Sequence, residues 1–450
     1  MVVPLPSPDD PPSTRVVPPP PPRASRVTPP TVLPPRTVLP PASPPPAAAE
    51  TASIPRFRPA ELLVMLRGPD PDDVVQNLAR SFNLTVHEGT TLRLLGGVRV
   101  YRLTIPDNRA VEGLVAAIAR MPGVSSAQPN FYSVLQGAAK QPSEDEPPDS
   151  TSPPSPKTDA SSSSRPPLAD AQYALKKLHV PEALKLARGK GVVVAVIDSA
   201  VDTTHPELRG ANIEVLDAMA QGDNVFQPDD HGTAITGVIA SRGELRGLAP
   251  DAKIIAVRAF APEIPNAPPV TTSLALASAV NQAFAKGARV FNMSFAGPRD
   301  PLLIQMIDEF YAEGAVFLAA AGNNGPKAPP AFPAAHDKVI AITATDAKDG
   351  LYAYANRGKY ISVAAPGVDI LVPVTANGYD FLSGTSFAVA HVSGIVALMM
   401  EHDPNLKPGD VSRILMKTAH DLGPKGADER FGAGLADAYE TLAQGVQAQR

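Results

Sequence analysis

The chain has no cysteine among its 450 residues. This excludes a disulfide framework, a thiolate zinc site and a thiol nucleophile, but it leaves the compartment open, because exported bacterial proteins also lack cysteine. No run of about 18 uncharged apolar residues occurs, so no membrane span is expected. The opening stretch MVVPLPSPDD has neither a basic n-region nor an apolar h-region, and no signal peptide is read there. A formal net charge of -5 provides no global field to gather nucleic acid or anionic lipid, so nucleic acid is not an expected partner. No internal repeat of fixed period is present.

The apolar fraction of 44% is enough for a sizeable core, and the length suits more than one module. The 53 prolines are unevenly placed: 21 fall in the first sixty residues and another 8 in residues 141–170, so the folded part is not proline-rich. Residues 1–55 are Pro, Ala, Ser and Thr with scattered Arg, a composition that favours extended, disordered chain. The run Pro18–Pro22 suits an aromatic-lined groove, although a spacer has the same composition.

Residues 56–136 change character. An apolar run, Leu62 to Leu66, is followed by Val74, Val75, Leu78, Ala79 and Phe82 at helical period. Val98, Val100 and Leu103 then interleave with Arg99 and Arg102, and Val111, Leu114, Val115 and Ile118 return to helical spacing before VSSAQPNFYSVL. The order β-α-β-β-α-β predicts a small ferredoxin-like α+β domain of marginal independent stability. Residues 137–170, rich in Pro and Ser, read as an exposed linker open to proteolysis. From 171 to 445 short apolar runs such as VVVAVI, KIIAVRAF and GAVFLAAAG alternate with helical patterns. This predicts an α/β fold, a three-layer doubly wound, mostly parallel sheet; 446–450 is a tail.

In such domains ligands bind beyond the carboxyl ends of the strands, so polar residues that close apolar runs are the ones to inspect. Asp198 follows VVVAVI. His231 lies in DDHGTAITGVIA, with Ile235, Val238 and Ile239 forming a helical face behind it. Asn323 follows GAVFLAAAG, where its amide can donate to an oxyanion, and Ser386 opens the apolar helix of LSGTSFAVAHVSGIVALMM. Taken singly, each has an ordinary explanation: a structural carboxylate, a helix-start histidine, an Asn-Asn-Gly turn, a Gly-Thr-Ser helix start. Together, the order Asp, His, Ser contradicts both the α/β-hydrolase and the chymotrypsin-like arrangements.

These segments resemble the subtilisin-like serine proteases (subtilases), through Asp198-Ser-Ala-Val-Asp202, His231-Gly-Thr233 and Gly384-Thr-Ser-Phe-Ala388. Further likeness lies in His205-Pro206, Asn292-Met-Ser-Phe-Ala-Gly-Pro298, Ala365-Pro-Gly367 and Phe431-Gly-Ala-Gly-Leu435. The resemblance implies a serine endopeptidase with Ser386 as nucleophile, His231 as general base and Asp198 as its orienting carboxylate, Asn323 in the oxyanion hole, and an acyl-enzyme intermediate. It also implies that Ser294, Phe295, Ala296 and Gly297 form one wall of the substrate cleft and Ala320, Ala321 and Gly322 the other. Because Ala296 stands where relatives usually carry glycine, small or medium apolar P1 side chains are expected. Ala200, Ala234 and Ala390 are further departures. His391 and His205 are expected to be structural.

Residues 56–136, with Gln128-Pro-Asn-Phe-Tyr132 near their end, are similar to subtilase propeptides. That implies an intramolecular inhibitor and a self-processed zymogen, cut between about Ser133 and Asp170. Polypeptides are the expected substrates and a monomer the expected state. No cofactor and no metal is expected, since the loop Ser241–Gly247 is short and offers few oxygen ligands for calcium. Family resemblance favours a secreted or cell-envelope location. A catalytically silent peptide-binding pseudoprotease, or an amidase or esterase on the same fold, remains the alternative.

Overall fold

The computed structural model describes residues 54–446 apart from 69, 88–89, 93–96, 108, 137–167, 220–225 and 264–266. Nearly all of the proline-rich segment 1–55, of the linker 137–170 and of the tail 446–450 lies outside the described residues.

The N-terminal unit runs β1 (Phe57–Leu66), α1 (Pro71–Phe82), β2 (Thr85–Val86), β3 (Thr90–Leu92), β4 (Val98–Thr104), α2 (Val111–Ile118) and β5 (Val124–Leu135). Proline in the first turn, Asp72 and Asp73 beside it and Arg80 in the last turn all favour α1, and Asn83 in the left-handed region ends it. The sheet order is β5-β1-β4-β2, with β3 also on β4 and β1 antiparallel to both neighbours. This is the predicted topology, with its second strand split into two short pieces.

Strand β1 explains its unbroken apolar run. Leu62, Val64 and Leu66 face α1 and α2, whereas Leu63 and Met65 face the other way, into a core they share with the C-terminal part of the chain. Both faces of this strand are buried, as its composition requires.

The C-terminal part begins with two short helices, α3 (Tyr173–Lys177) and α4 (Val180–Ala183). Its strands and helices then follow as β6 (Val193–Asp198), β7 (Asn212–Asp217), α5 (Asp230–Ala240), β8 (Lys253–Arg258), β9 (Val270–Thr272), α6 (Ser273–Ala285), β10 (Val290–Met293) and β11 (Phe295–Ala296). They continue with α7 (Pro301–Ala312), β12 (Val316–Ala320), β13 (Val339–Thr345), β14 (Ile361–Pro366), β15 (Ile370–Val374), β16 (Gly378–Leu382), α8 (Thr385–His402) and α9 (Pro408–Thr418).

Seven strands pair in the order β14-β13-β12-β10-β6-β8-β7, and every pairing is parallel. Alternate residues divide between two cores. Val194, Val196, Ile254, Ala256, Leu318 and Ile342 pack with α5 and α8, while Ala195, Ile197, Ile255, Val257, Phe291 and Phe317 pack with α6 and α7. This is the expected three-layer arrangement, and it brings the carboxyl ends of β6, β8, β10 and β12 to one edge.

Phe317 stacks on Phe291 at 4.8 Å between centroids in the middle of the sheet, and both are fully buried. Truncating Phe317→Ala is expected to cost about 3–5 kcal/mol of stability, measured as a lowered denaturant midpoint with the slope unchanged.

Candidate active site

The site is assembled from strand ends and helix starts. Asp198 closes β6 and is fully buried; its Oδ1 accepts from the Ser199 amide at 2.7 Å and from His231 Nδ1 at 2.7 Å. Because a carboxylate can only accept, Nδ1 carries the proton and Nε2 is left as the acceptor of the neutral ring. His231 stands in the first turn of α5, whose N-cap Asp229 accepts from the His231 amide at 2.9 Å. The Ser199 hydroxyl donates to Asp229 at 2.7 Å and accepts from the Gly232 amide at 3.0 Å, tying the helix start to the strand end. Only glycine allows that approach, since a Cβ on residue 232 would lie 2.5 Å from the Ser199 carbonyl oxygen.

Burial lowers the proton affinity of His231, but the Asp198 charge and hydrogen bond, the Asp229 charge and the Gln136 carbonyl outweigh it, and the pKa is raised above the ordinary histidine value. His231 Nε2 and Asp198 Oδ2 are buried without hydrogen-bond partners.

Ser386 is the second residue of α8 and is fully buried; its hydroxyl donates to the Gln136 carbonyl oxygen at 3.0 Å. Asn323 follows β12. Its Oδ1 accepts from the Thr385 amide at 3.1 Å and the Thr385 hydroxyl at 2.8 Å, which turns Nδ2 towards the Gln136 carbonyl oxygen at 3.4 Å. Gly322, at φ +111°, lets the chain turn so that Asn323 faces inward.

The occupant of the cleft is the chain's own β5. It pairs antiparallel with β9 on one side, through Tyr132–Thr272, Ser133–Thr271 and Val134–Val270, and with β11 on the other, through Leu135–Phe295 and Val134–Ala296. The Gln136 amide then donates to the Ser294 carbonyl at 3.0 Å, and Gln136 ends the described segment beside Ser386 and Asn323. Further back, the buried Gln128 spans two helix starts. Its Nε2 donates to Asp300 Oδ1 at 2.8 Å, and its Oε1 accepts from the Leu302 amide at 2.9 Å; Asn130 Oδ1 likewise accepts from the Leu274 amide.

Comparison with known proteins fits this geometry. The Subtilase family profile matches residues 189–434, more than half of the chain. The chain belongs to the subtilase family. A second profile, the fervidolysin N-terminal prodomain, matches residues 43–130 of this subtilase. Thermitase of Thermoactinomyces vulgaris is 33% identical over 281 residues, covering 61% of this chain and 97% of its own. A thermophilic serine proteinase of Bacillus sp. strain AK1 is 33% identical over 270 residues, 58% of this chain and 65% of its own. Fervidolysin of Fervidobacterium pennivorans is 31% identical over 300 residues, 60% of this chain and 43% of its own. The crystal structure of fervidolysin, titled a keratinolytic enzyme related to subtilisin, superposes with a TM-score of 0.71 at 24% identity, over 86% of this chain and 61% of that one. This subtilase thus spans under two thirds of the length of two of these relatives.

Asp198, His231, Asn323 and Ser386, the residues singled out in the sequence, gather at one place in this subtilase. Of the expected walls, Ser294, Phe295 and Ala296 hold the seated strand; Gly297 follows them and bonds Phe332. Ala320 and Ala321 are buried, with the Ala321 amide on Ile342 and its carbonyl on Tyr360, so on that wall it is Asn323 that bonds the strand. Ala296 stands opposite Val134, two residues before Gln136, rather than opposite Gln136 itself.

The side chain seated beside Ser386 and Asn323 is not an apolar one. Gln136 is medium-sized but polar, and its Oε1 accepts from the Asn323 amide at 2.9 Å. Apolar patterning cannot reveal a backbone N–H aimed into a pocket. Sequence reasoning also missed Ser199, Asp229, Thr385 and Gln128; Ser199 meets Asp229 across 30 residues of chain, Thr385 meets Asn323 across 62 and Gln128 meets Asp300 across 172, contacts that form only on folding.

His205, fully buried, bonds the Gly378 carbonyl and the Glu207 amide. The Glu207 carboxylate in turn accepts from the amides of Gly243, Glu244 and Leu245, so the loop Ser241–Gly247 wraps around it. His391 is buried within α8 against the Phe387 carbonyl, and burial pulls its pKa down to about 4. The unfolded chain therefore binds a proton that the folded one refuses between about pH 6.5 and 4. Stability from this residue is present above the unfolded pKa and is lost as pH falls through that window, by on the order of 3 kcal/mol. Unfolding midpoints measured against pH are expected to fall there, with a shallower fall in His391→Gln.

Proposed function

We propose that this subtilase is a serine endopeptidase, made as a zymogen that cuts its own chain after Gln136. The observation that carries the reading is the Gln136 carbonyl, which follows a strand paired on both edges and rests between the Ser386 hydroxyl and the Asn323 side-chain amide.

Ser386 Oγ attacks the Gln136 carbonyl carbon as its proton passes to His231 Nε2. Asp198 holds the ring in the tautomer that leaves Nε2 free and stabilises the imidazolium. The oxygen of the tetrahedral intermediate takes its charge beside Asn323 Nδ2 and the Ser386 amide at the positive end of α8. Collapse returns the proton from His231 to the Gly137 nitrogen and breaks the 136–137 bond, leaving an acyl-enzyme on Ser386. Water, deprotonated by His231, then hydrolyses that ester and frees the Gln136 carboxylate. A polypeptide laid between β9 and β11 follows the same path. Until it dissociates, the N-terminal unit occupies the cleft as an inhibitor.

Four outcomes are expected. The wild-type chain releases an N-terminal fragment whose intact mass ends at Gln136, and the processed protein is labelled by a fluorophosphonate, whereas Ser386→Ala stays whole and unlabelled; a protein never labelled is the silent peptide binder instead. Asn323→Ala lowers kcat by about 10²–10³-fold, the order known for loss of such a donor in this family. The acid limb of kcat, which reports the occupied cleft, lies above the ordinary histidine value of about 6.5, because His231 must be neutral to accept the proton. In Asp198→Asn the limb moves to lower pH and activity falls by about 10⁴-fold, the order known for serine proteases with this triad.

A further inference from the structure

We propose that the pocket beside the cut bond recognises a carboxamide, so that this protease cleaves after glutamine in preference to apolar residues of similar size. The inference rests on the endopeptidase reading.

Gln136 is 7% exposed, so its side-chain amide is a buried polar group that needs partners. Its Oε1 accepts from the Asn323 backbone amide at 2.9 Å, while Nδ2 of the same asparagine faces the Gln136 carbonyl oxygen at 3.4 Å. One residue therefore senses both the side chain and the reacting carbonyl. Its orientation is set in advance, because the Thr385 amide and hydroxyl both donate to Asn323 Oδ1. A side chain that satisfies the Asn323 N–H is registered on the same rigid unit that holds the carbonyl.

Other side chains fail in different ways. Methionine matches the length of glutamine but offers the N–H no oxygen, so it covers a part-buried donor without pairing it. Leucine, phenylalanine and alanine share that defect. Lysine and arginine carry donors only. Asparagine has the amide but is one methylene shorter. Glutamate has the acceptor, yet it brings a charge out of water to face a neutral donor. A site built around a hydrogen bond discriminates against an analogue lacking the acceptor far better than an apolar pocket discriminates by one methylene.

The test uses the full chain. Gln136→Met and Gln136→Glu variants are followed by intact mass for self-shortening, and the processed wild type is assayed on Ser-Val-Leu-X chromogenic amides with X as Gln, Met or Glu, the first three residues copying Ser133–Leu135. The expected result is that Gln136→Met shortens at least about tenfold more slowly than wild type. The Gln peptide is expected to exceed the Met peptide at least about tenfold in kcat/KM, with Glu lowest. Hydrolysis of the Met peptide as fast as the Gln peptide, by a protein that a fluorophosphonate labels, overturns the carboxamide inference and leaves the protease standing. No hydrolysis, no shortening and no labelling overturn the endopeptidase reading, and this inference with it.

Discussion

One strand holds the two halves of this chain together. Strand β5 belongs to the N-terminal sheet by its pairing with β1 and to the cleft by its pairing with β9 and β11, and the residue that follows it, Gln136, reaches Ser386. Main-chain hydrogen bonds on both edges fix its register, and in a strand a slip of one residue would turn every side chain to the opposite face. The position of the Gln136 carbonyl is therefore set by the whole ladder. Gln128 and Asn130 add a second anchorage by supplying acceptors to the starts of α6 and α7, where helix amides lack partners of their own.

The side chains gathered at the candidate site are rigid because the layers behind them are. Asp198 ends a strand buried on both faces, and residues 385–400 of α8 are all buried, so Ser386 is carried on a helix surrounded by protein rather than lying on a surface. Such a helix cannot shift without disturbing the sheet, and interiors of this density deform little. The low-dielectric setting also accounts for the electrostatics: the Asp198–His231 pair prevails over desolvation, whereas His391, with only backbone carbonyls for company, is held neutral.

The fold and the four central residues were legible because they obey local rules. Apolar runs of strand length ended in Asp198 and Asn323, and helix-period runs began near His231 and at Ser386; the parallel topology carries such positions to one edge of the sheet. The N-terminal topology was legible from alternating periods of two and of three to four. The groups that orient the site were not. Ser199, Asp229 and Thr385 act across contacts between elements, and Gln128 acts across 172 residues of chain on Asp300. The Asn323 main-chain donor that meets the Gln136 side chain was hidden for the same reason, since no side-chain alphabet displays it.

Strand β1 carries a last consequence. Leu63 and Met65, together with Val98 and Val100 on β4, complete the core of the larger half and not their own. Once parted from its partner, the smaller half would show water a greasy ladder on a sheet already thin for its length, and such a body loosens easily. The smaller half is thus perishable by construction: what lets it grip while docked makes it poor at staying folded alone.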